Sequence, residues 1–243
     1  MTKSFVLVYG ETRLPYEVNE DPGRSTRVAI HVDPDGAISV DAPPGYSDEA
    51  IKSAVQKRAR WITSHVAEAV HRFAHVRPRE YVSGEQVLYL GRRYILKVII
   101  TDTPLKSAKL RGNRLEVQSR VGDFDEIKGR VRRWFRARAR EYYAHRLDHL
   151  SSKLPWVATP PQFRILDMSR QWGSCSPSGQ IILNSHLVKA PSACVDYVIV
   201  HELIHLKHHN HSAEFFRLLD SAIPKWQSHK HTLDGMVEKV LQE

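Results

Sequence analysis

Apolar and polar residues alternate in short runs from the N-terminus to Val40. Arg13–Val18 and Arg27–Val32 read as strands, Asp33-Pro34-Asp35-Gly36 as a turn, and Ala37–Val40 as the returning strand. Apolar residues then recur every three or four positions at Ile51, Val55, Ala59, Ile62, Val66 and Val70, behind Ser47 and the acidic pair Asp48-Glu49. That spacing predicts one helix from about Asp48 to Phe73, with Trp61 anchored in the core. Alternation returns in Glu85–Leu90 and Tyr94–Ile100, which flank Gly91 as a hairpin. Lys109-Leu110 and Leu115–Val117 flank Gly112-Asn113 as a second hairpin. From Asp123 to about Leu154 the period is helical again, with Ile127, Val131, Trp134, Phe135, Ala139, Tyr142 and Leu150 on the buried side and Pro155 as the stop. Phe163–Leu166 and Ile181–Leu183 read as neighbouring strands, and a last helix covers about Thr232 to Leu241. No internal repeat is visible. Strands precede helices, so the fold class is α+β, with a division near Gly122: a β-rich N-terminal part with one long helix over residues 1–121, and a helical domain over residues 122–243.

One segment departs from the amphipathic norm. Asp196–Leu206 is apolar around most of its circumference, which predicts a buried helix started by Asp196 or Ser192. It carries His201-Glu202-Leu203-Ile204-His205. Positions i and i+4 of a helix lie about 40° apart around the axis, so His201 and His205 project from one face and can share one ion. Glu202 sits about 100° round from His201, within reach of a water on that ion. Asn210 reads as the helix stop, and Ser212–Leu219 as a second helix ended by Pro224, a geometry that returns His211 as a third imidazole. His208 and His209 read as exposed helix-end residues. A chain with 14 His produces such a motif by coincidence at some rate, but the buried helix, the third His and the break between them argue against it here.

Composition narrows the setting. The 243 residues suffice for one large or two small domains. No apolar stretch approaches the roughly 20 residues of a membrane span, and the N-terminal apolar run is too short for a signal peptide. Two Cys are too few for a disulfide framework, and a reduced cytoplasm is the simplest compartment. The net charge of +9 suits a nucleic acid, a nucleotide or an acidic membrane surface, and equally a protein kept soluble by excess Lys and Arg. Arg132, Arg136 and Arg140 align on the helix from Asp123, with Trp134 and Phe135 interleaved; this is either a solvated face or a phosphate-binding one. Gln171–Ser176, followed by Pro177-Ser178-Gly179, reads as a turn between strands whose backbone N–H groups can meet an anion or a carbonyl. Cys175 and Cys194 read as small core thiols.

Gln171–Ser176, Gly179–Asn184, Asp196–His205, Asn210–Ser212, Phe215, Phe216 and Pro224 together resemble, in order and spacing, the YgjP-like metallopeptidases, relatives of the SprT and WLM groups. The resemblance runs along most of the chain. It implies a zincin-like catalytic domain with His201, His205 and His211 as ligands of one divalent metal, zinc by default with nickel, cobalt or manganese as alternatives, and Glu202 as general base. It also implies that the 171–176 loop lies near the cleft, making Arg170, Trp172, Gly173, Ser174 and Cys175 candidate substrate contacts. His186, Tyr197, Arg170 and His208 are candidate oxyanion donors. The third-ligand spacing equals that of metzincins, but His208 stands where their turn glycine would be and no Met-turn is evident. The implied activity is hydrolysis of a peptide or protein by a metal-activated water. Three alternatives stay open: nucleoside triphosphate (for example UTP) pyrophosphohydrolysis at the same metal, a DNA-associated SprT-like protease, and a non-catalytic module with a structural metal. The absence of a Walker-type loop counts against the first.

Overall fold

Two successive stretches of hairpin-forming sequence build two sheets of one topology. A computed structural model describes residues 3–21, 26–32, 36–74 (backbone alone for 72–74), 79–103, 107–168, 171–237 and 240. The expected turn residues Asp33, Pro34 and Asp35 lie outside these. Chain contacts divide the protein into two compact units, Met1–Arg77 and Pro78–Glu243.

The first unit contains strands β1 (Lys3–Tyr9), β2 (Thr12–Glu20), β3 (Ala29–Val32) and β4 (Ile38–Ala42), followed by helices α1 (Asp48–Lys57) and α2 (Ala59–Ala74). Strand order is β1-β2-β4-β3: two antiparallel hairpins joined by the parallel pair β2–β4. Alternation places Leu7, Tyr16, Val18, Ile38 and Val40 on the face that receives Ile51, Val55, Ala59 and Ile62 from the helices. Ser47 caps α1, accepting a hydrogen bond from the Ala50 N–H. The single expected helix is two. At Arg58 (φ −105°, ψ 8°) the N–H turns to the Val55 carbonyl at 3.0 Å, tightening one turn before the Ile62 N–H resumes the helical pattern. Trp61 is not a core anchor. Ile62 takes the buried place beside it, and Trp61 is 39 % exposed with its ring against His65.

The second unit repeats the plan. Strands β5 (Gln86–Tyr89), β6 (Arg92–Ile100), β7 (Lys109–Arg111) and β8 (Arg114–Ser119) have the order β5-β6-β8-β7, with β6 and β8 parallel, and helix α3 (Phe124–Ser151) follows. Sequence alone shows no repeat because the shared feature is connectivity, which two different sets of side chains satisfy. In α3 the buried residues Ile127, Val131, Phe135, Ala139, Tyr143, Leu147 and Ser151 recur every fourth position, so Tyr143 and Leu147, not Tyr142 and Leu150, complete the stripe. This stripe shares one core with Val87, Leu96, Leu115 and Val117 of the sheet and with the helices that follow. That common core is why the contact division falls at Arg77/Pro78 and not near Gly122.

A third sheet, ordered β10-β11-β9, is made of β9 (Phe163–Leu166), β10 (Gly173–Cys175) and β11 (Ile181–Asn184). Part of the expected loop is therefore strand. Helices α4 (Ser192–His205), α5 (Ala213–Ala222) and α6 (Trp226–Asp234) complete the unit. The last begins earlier than Thr232, directly after Lys225, which holds a left-handed conformation at φ 73° behind Pro224. Helix α4 is buried as its composition predicts, but its N-cap is Pro191 and no side chain caps it. Asp196 lies inside the helix and receives two hydrogen bonds from the Arg146 guanidinium, at 2.7 and 2.8 Å.

The start of α4 is fixed by the β5–β6 turn. Leu90 and Gly91 N–H groups donate to the Val188 and Lys189 carbonyls at 2.8 and 3.1 Å. Gly91 has φ +75°, and a Cβ there would meet Pro191 Cα at 2.9 Å. Gly91→Ala is expected to destabilise the protein by about 2 kcal/mol or more, the left-handed penalty plus the clash. Gly112→Ala, at a positive φ in open space, should cost only about 1–2 kcal/mol. Urea midpoints of the two variants check the difference.

Candidate metal centre

The three imidazoles come together because α4 ends early. It stops at His205, short of Asn210, and the N–H groups of Lys207 and His208 both turn to the Ile204 carbonyl at 2.9 Å. The chain reverses through His209 and Asn210, and Ser212 opens α5 by accepting from the Phe215 N–H. His211, just before that cap, packs its ring on Phe216 at a centroid distance of 6.1 Å, the staple that fixes the angle at which a chain enters a helix. His211 Nε2 thereby lies 3.0 Å from His201 Nε2. One ring nitrogen from each of His201, His205 and His211 falls within 4.8 Å of the others.

These residues fit a divalent ion. Bonds of about 2.05 Å at tetrahedral angles put ligand nitrogens about 3.3 Å apart, close to the separation of the His201 and His211 pair. Burial, then the proximity of His211 and His205, pushes the His201 imidazole down to about 3. His205 is also lowered, chiefly by burial. Both rings are neutral at pH 7, with lone pairs available. His205 Nδ1 faces the His208 carbonyl at 3.0 Å, so it donates there and presents Nε2 to the site. His201 Nδ1 is buried without a hydrogen-bond partner. Beneath the cluster, the fully buried Phe215 ring lies 4.9, 4.8 and 4.7 Å from the rings of His201, His205 and His211.

Glu202 follows His201 in α4. It is 5 % exposed, and burial alone pushes its carboxyl up to about 8. Strand β10 lies flat against it: a Cβ on Gly173 would come within 2.7 Å of Glu202 Oε1. Asn184, fully buried at the end of β11, holds the approach to β10. Its Nδ2 donates to the Met168 and Gln171 carbonyls at 2.7 and 2.8 Å, while its N–H donates to the Trp172 carbonyl.

Trp172, Gly173, Ser174 and Cys175 are half-buried along this strand, and Arg170 lies outside the described residues. The Cys175 thiol is pushed up to about 11 by burial and the nearby Glu202 carboxylate, which suits an inert thiol. Of the candidate oxyanion donors, His186 turns its Nδ1 to Lys189 Nζ at 2.9 Å. Tyr197 is buried, its ring 6.0 Å from that of His201 and stacked on Trp226. His208 contributes its carbonyl to His205; it is half-buried, whereas His209 is exposed, and both lie beyond the helix. Sequence reasoning assigned no role to Phe215 or Asn184. Their signals were a Phe four positions after His211 and an Asn closing a strand.

The family model described as "YgjP-like, metallopeptidase domain" matches residues 26–236. The chain belongs to the YgjP-like family. Membership makes it a metal-dependent hydrolase of metallopeptidase type. The crystal structure of the metallopeptidase zymogen of Pyrococcus abyssi abylysin is 23 % identical to this YgjP-like chain, covering 43 % of it and 97 % of that chain, at a TM-score of 0.32. That likeness is too slight to bear on the site. No curated protein matches. No helix among the described residues is long and apolar enough to cross a membrane.

Phe215 orients all three imidazoles, so Phe215→Leu should weaken zinc binding about ten-fold or more while the protein still folds. Competition with a chromophoric chelator measures this; unchanged affinity would show that the ring only fills space.

Proposed function

We propose that this YgjP-like protein is a zinc metallopeptidase in which His201, His205 and His211 hold the ion and Glu202 is the general base. The observation that carries the reading is the position of β10. Among the described residues it pairs with β11 on one side only, and a Cβ on Gly173 would meet the Glu202 carboxyl at 2.7 Å. An extended peptide has the backbone groups to pair with that free edge, which would bring a scissile carbonyl beside Glu202 and the three imidazoles. Trp172, Ser174 and Cys175 would then flank the peptide, and Asn184 keeps the strand in place.

When bound, a divalent ion polarises the carbonyl and lowers the pKa of a water to about 7. A Glu202 oxygen accepts the proton from the attacking water and passes it to the nitrogen of the leaving amine. Burial pushes the Glu202 carboxyl up, which favours the protonated form that carries the proton from water to amine. The neutral rings of His201 and His205 leave the site's protons to Glu202.

Glu202→Gln should retain zinc and lose about 10²- to 10⁴-fold in cleavage of a fluorogenic peptide mixture. Gly173→Ala, whose methyl displaces the carboxylate, should also lower turnover at unchanged zinc content. Wild-type rates in Glu202→Gln would contradict the mechanism. Glu202-dependent pyrophosphate release from UTP, with no peptide cleaved, would move the substrate to a nucleoside triphosphate.

A further inference from the structure

The first unit carries a groove that the metal centre does not use. It has a volume of about 850 Å³ and lies between strand β3, with the residues leading into it, and the exposed side of α1 and the start of α2. Its floor is small: Val28 and Ile30 on one side, Ala50, Ser53 and Ala54 on the other. Three cations, Arg27, Lys57 and Arg58, line it, all exposed, and no acidic residue among the described residues does. None of the three has an ion-pair partner among the described residues. Among the described residues strand β3 is the edge of its sheet, paired with β4 alone, so its outer row of N–H and C=O groups is available to another strand.

We propose that this groove binds an extended acidic peptide, added to β3 as a further strand with its carboxylates on Arg27, Lys57 and Arg58. Strand addition needs an open edge and room for alternate side chains, and the Ala50–Ser53–Ala54 trench supplies that room. The cations set the sign of the partner. The aromatic residues favour a peptide over single-stranded nucleic acid, which stacks bases on free ring faces. Trp61 has His65 against its ring at 4.3 Å, and Tyr46 donates its hydroxyl to the Thr26 carbonyl at 3.2 Å, which holds it as a wall.

The second sheet provides an internal comparison. The topologically equivalent place, between the lead into β7 and helix α3, is about 410 Å³. Two of its arginines, Arg130 and Arg138, are already paired with Glu126 and Glu141. Two arginines at the equivalent place are thus paired with acids in the second unit, whereas Arg27, Lys57 and Arg58 have no ion-pair partner among the described residues in the first.

The test uses the full chain and a fluorescein-labelled peptide alternating glutamate and valine, followed by anisotropy, with no turnover required. The expected result is saturable binding, weakened at least about ten-fold by Arg27→Glu with Arg58→Glu and blocked by Ser53→Trp, which fills the trench. Two peptides N-methylated on alternate residues, one in each register, separate strand addition from charge alone: one of them should fail to bind. Thermal melts matching wild type confirm that the variants fold. Equal binding of a lysine–valine peptide, or of both N-methylated peptides, would overturn the proposal. So would displacement by an oligothymidylate that binds more tightly, which would assign the groove to nucleic acid.

Discussion

A carboxyl group buried with no charged partner among the described residues is the condition around which the catalytic unit is arranged. Water would stabilise the Glu202 charge, and the fold removes most of that water. Helix α4 is apolar on most sides, and β10 approaches with the one residue that has no side chain. Larger residues at 173 would push the carboxyl away, and a looser loop would let water in. Asn184 therefore matters without touching Glu202: its three hydrogen bonds to the approach loop hold β10 at that distance. The imidazoles obey the same logic, since burial keeps His201 and His205 neutral and Phe215 sets their spacing.

The rest of the second unit positions that helix. The β5–β6 turn hydrogen-bonds to the residues before α4, Arg146 grips Asp196 within it, and the every-fourth stripe of α3 packs into the same core. The first unit repeats the arrangement of paired hairpins and following helix but has its own small core. Its conspicuous surface is the cationic groove beside the β3 edge, where the second unit has paired arginines.

Much of this was legible in the sequence because it rests on periodicity. The hairpins around Gly91 and Gly112 sit where alternation and turn residues put them, and the burial of α4 follows from its composition. The HExxH run and His211 converge as their spacing implies. What escaped depends on tertiary choice. Nothing local at Arg58 breaks a helix, since there is no proline or glycine; the tightened turn appears only once both halves lie on one sheet. Trp61 and Ile62 are adjacent apolar residues, and periodicity alone does not say which the core takes. The contact division lies at Arg77/Pro78 because the change from strands to helices near Gly122 is not a change of core. A cap at Asp196 was expected from residue type, and Arg146, far away in sequence, claims that side chain instead. The contact between Gly173 and Glu202 has no sequence period at all.

The proposed chemistry requires three imidazoles that share one ion. The direct measurement is metal content by mass spectrometry of protein purified without added metal, for wild type and His211→Ala, each repeated after zinc is added back and excess removed. About one ion per chain in wild type, lost or sharply reduced in His211→Ala, is the predicted result. Wild-type protein that holds no ion even after zinc is supplied, or a His211→Ala variant that holds it equally well, would contradict the centre described here.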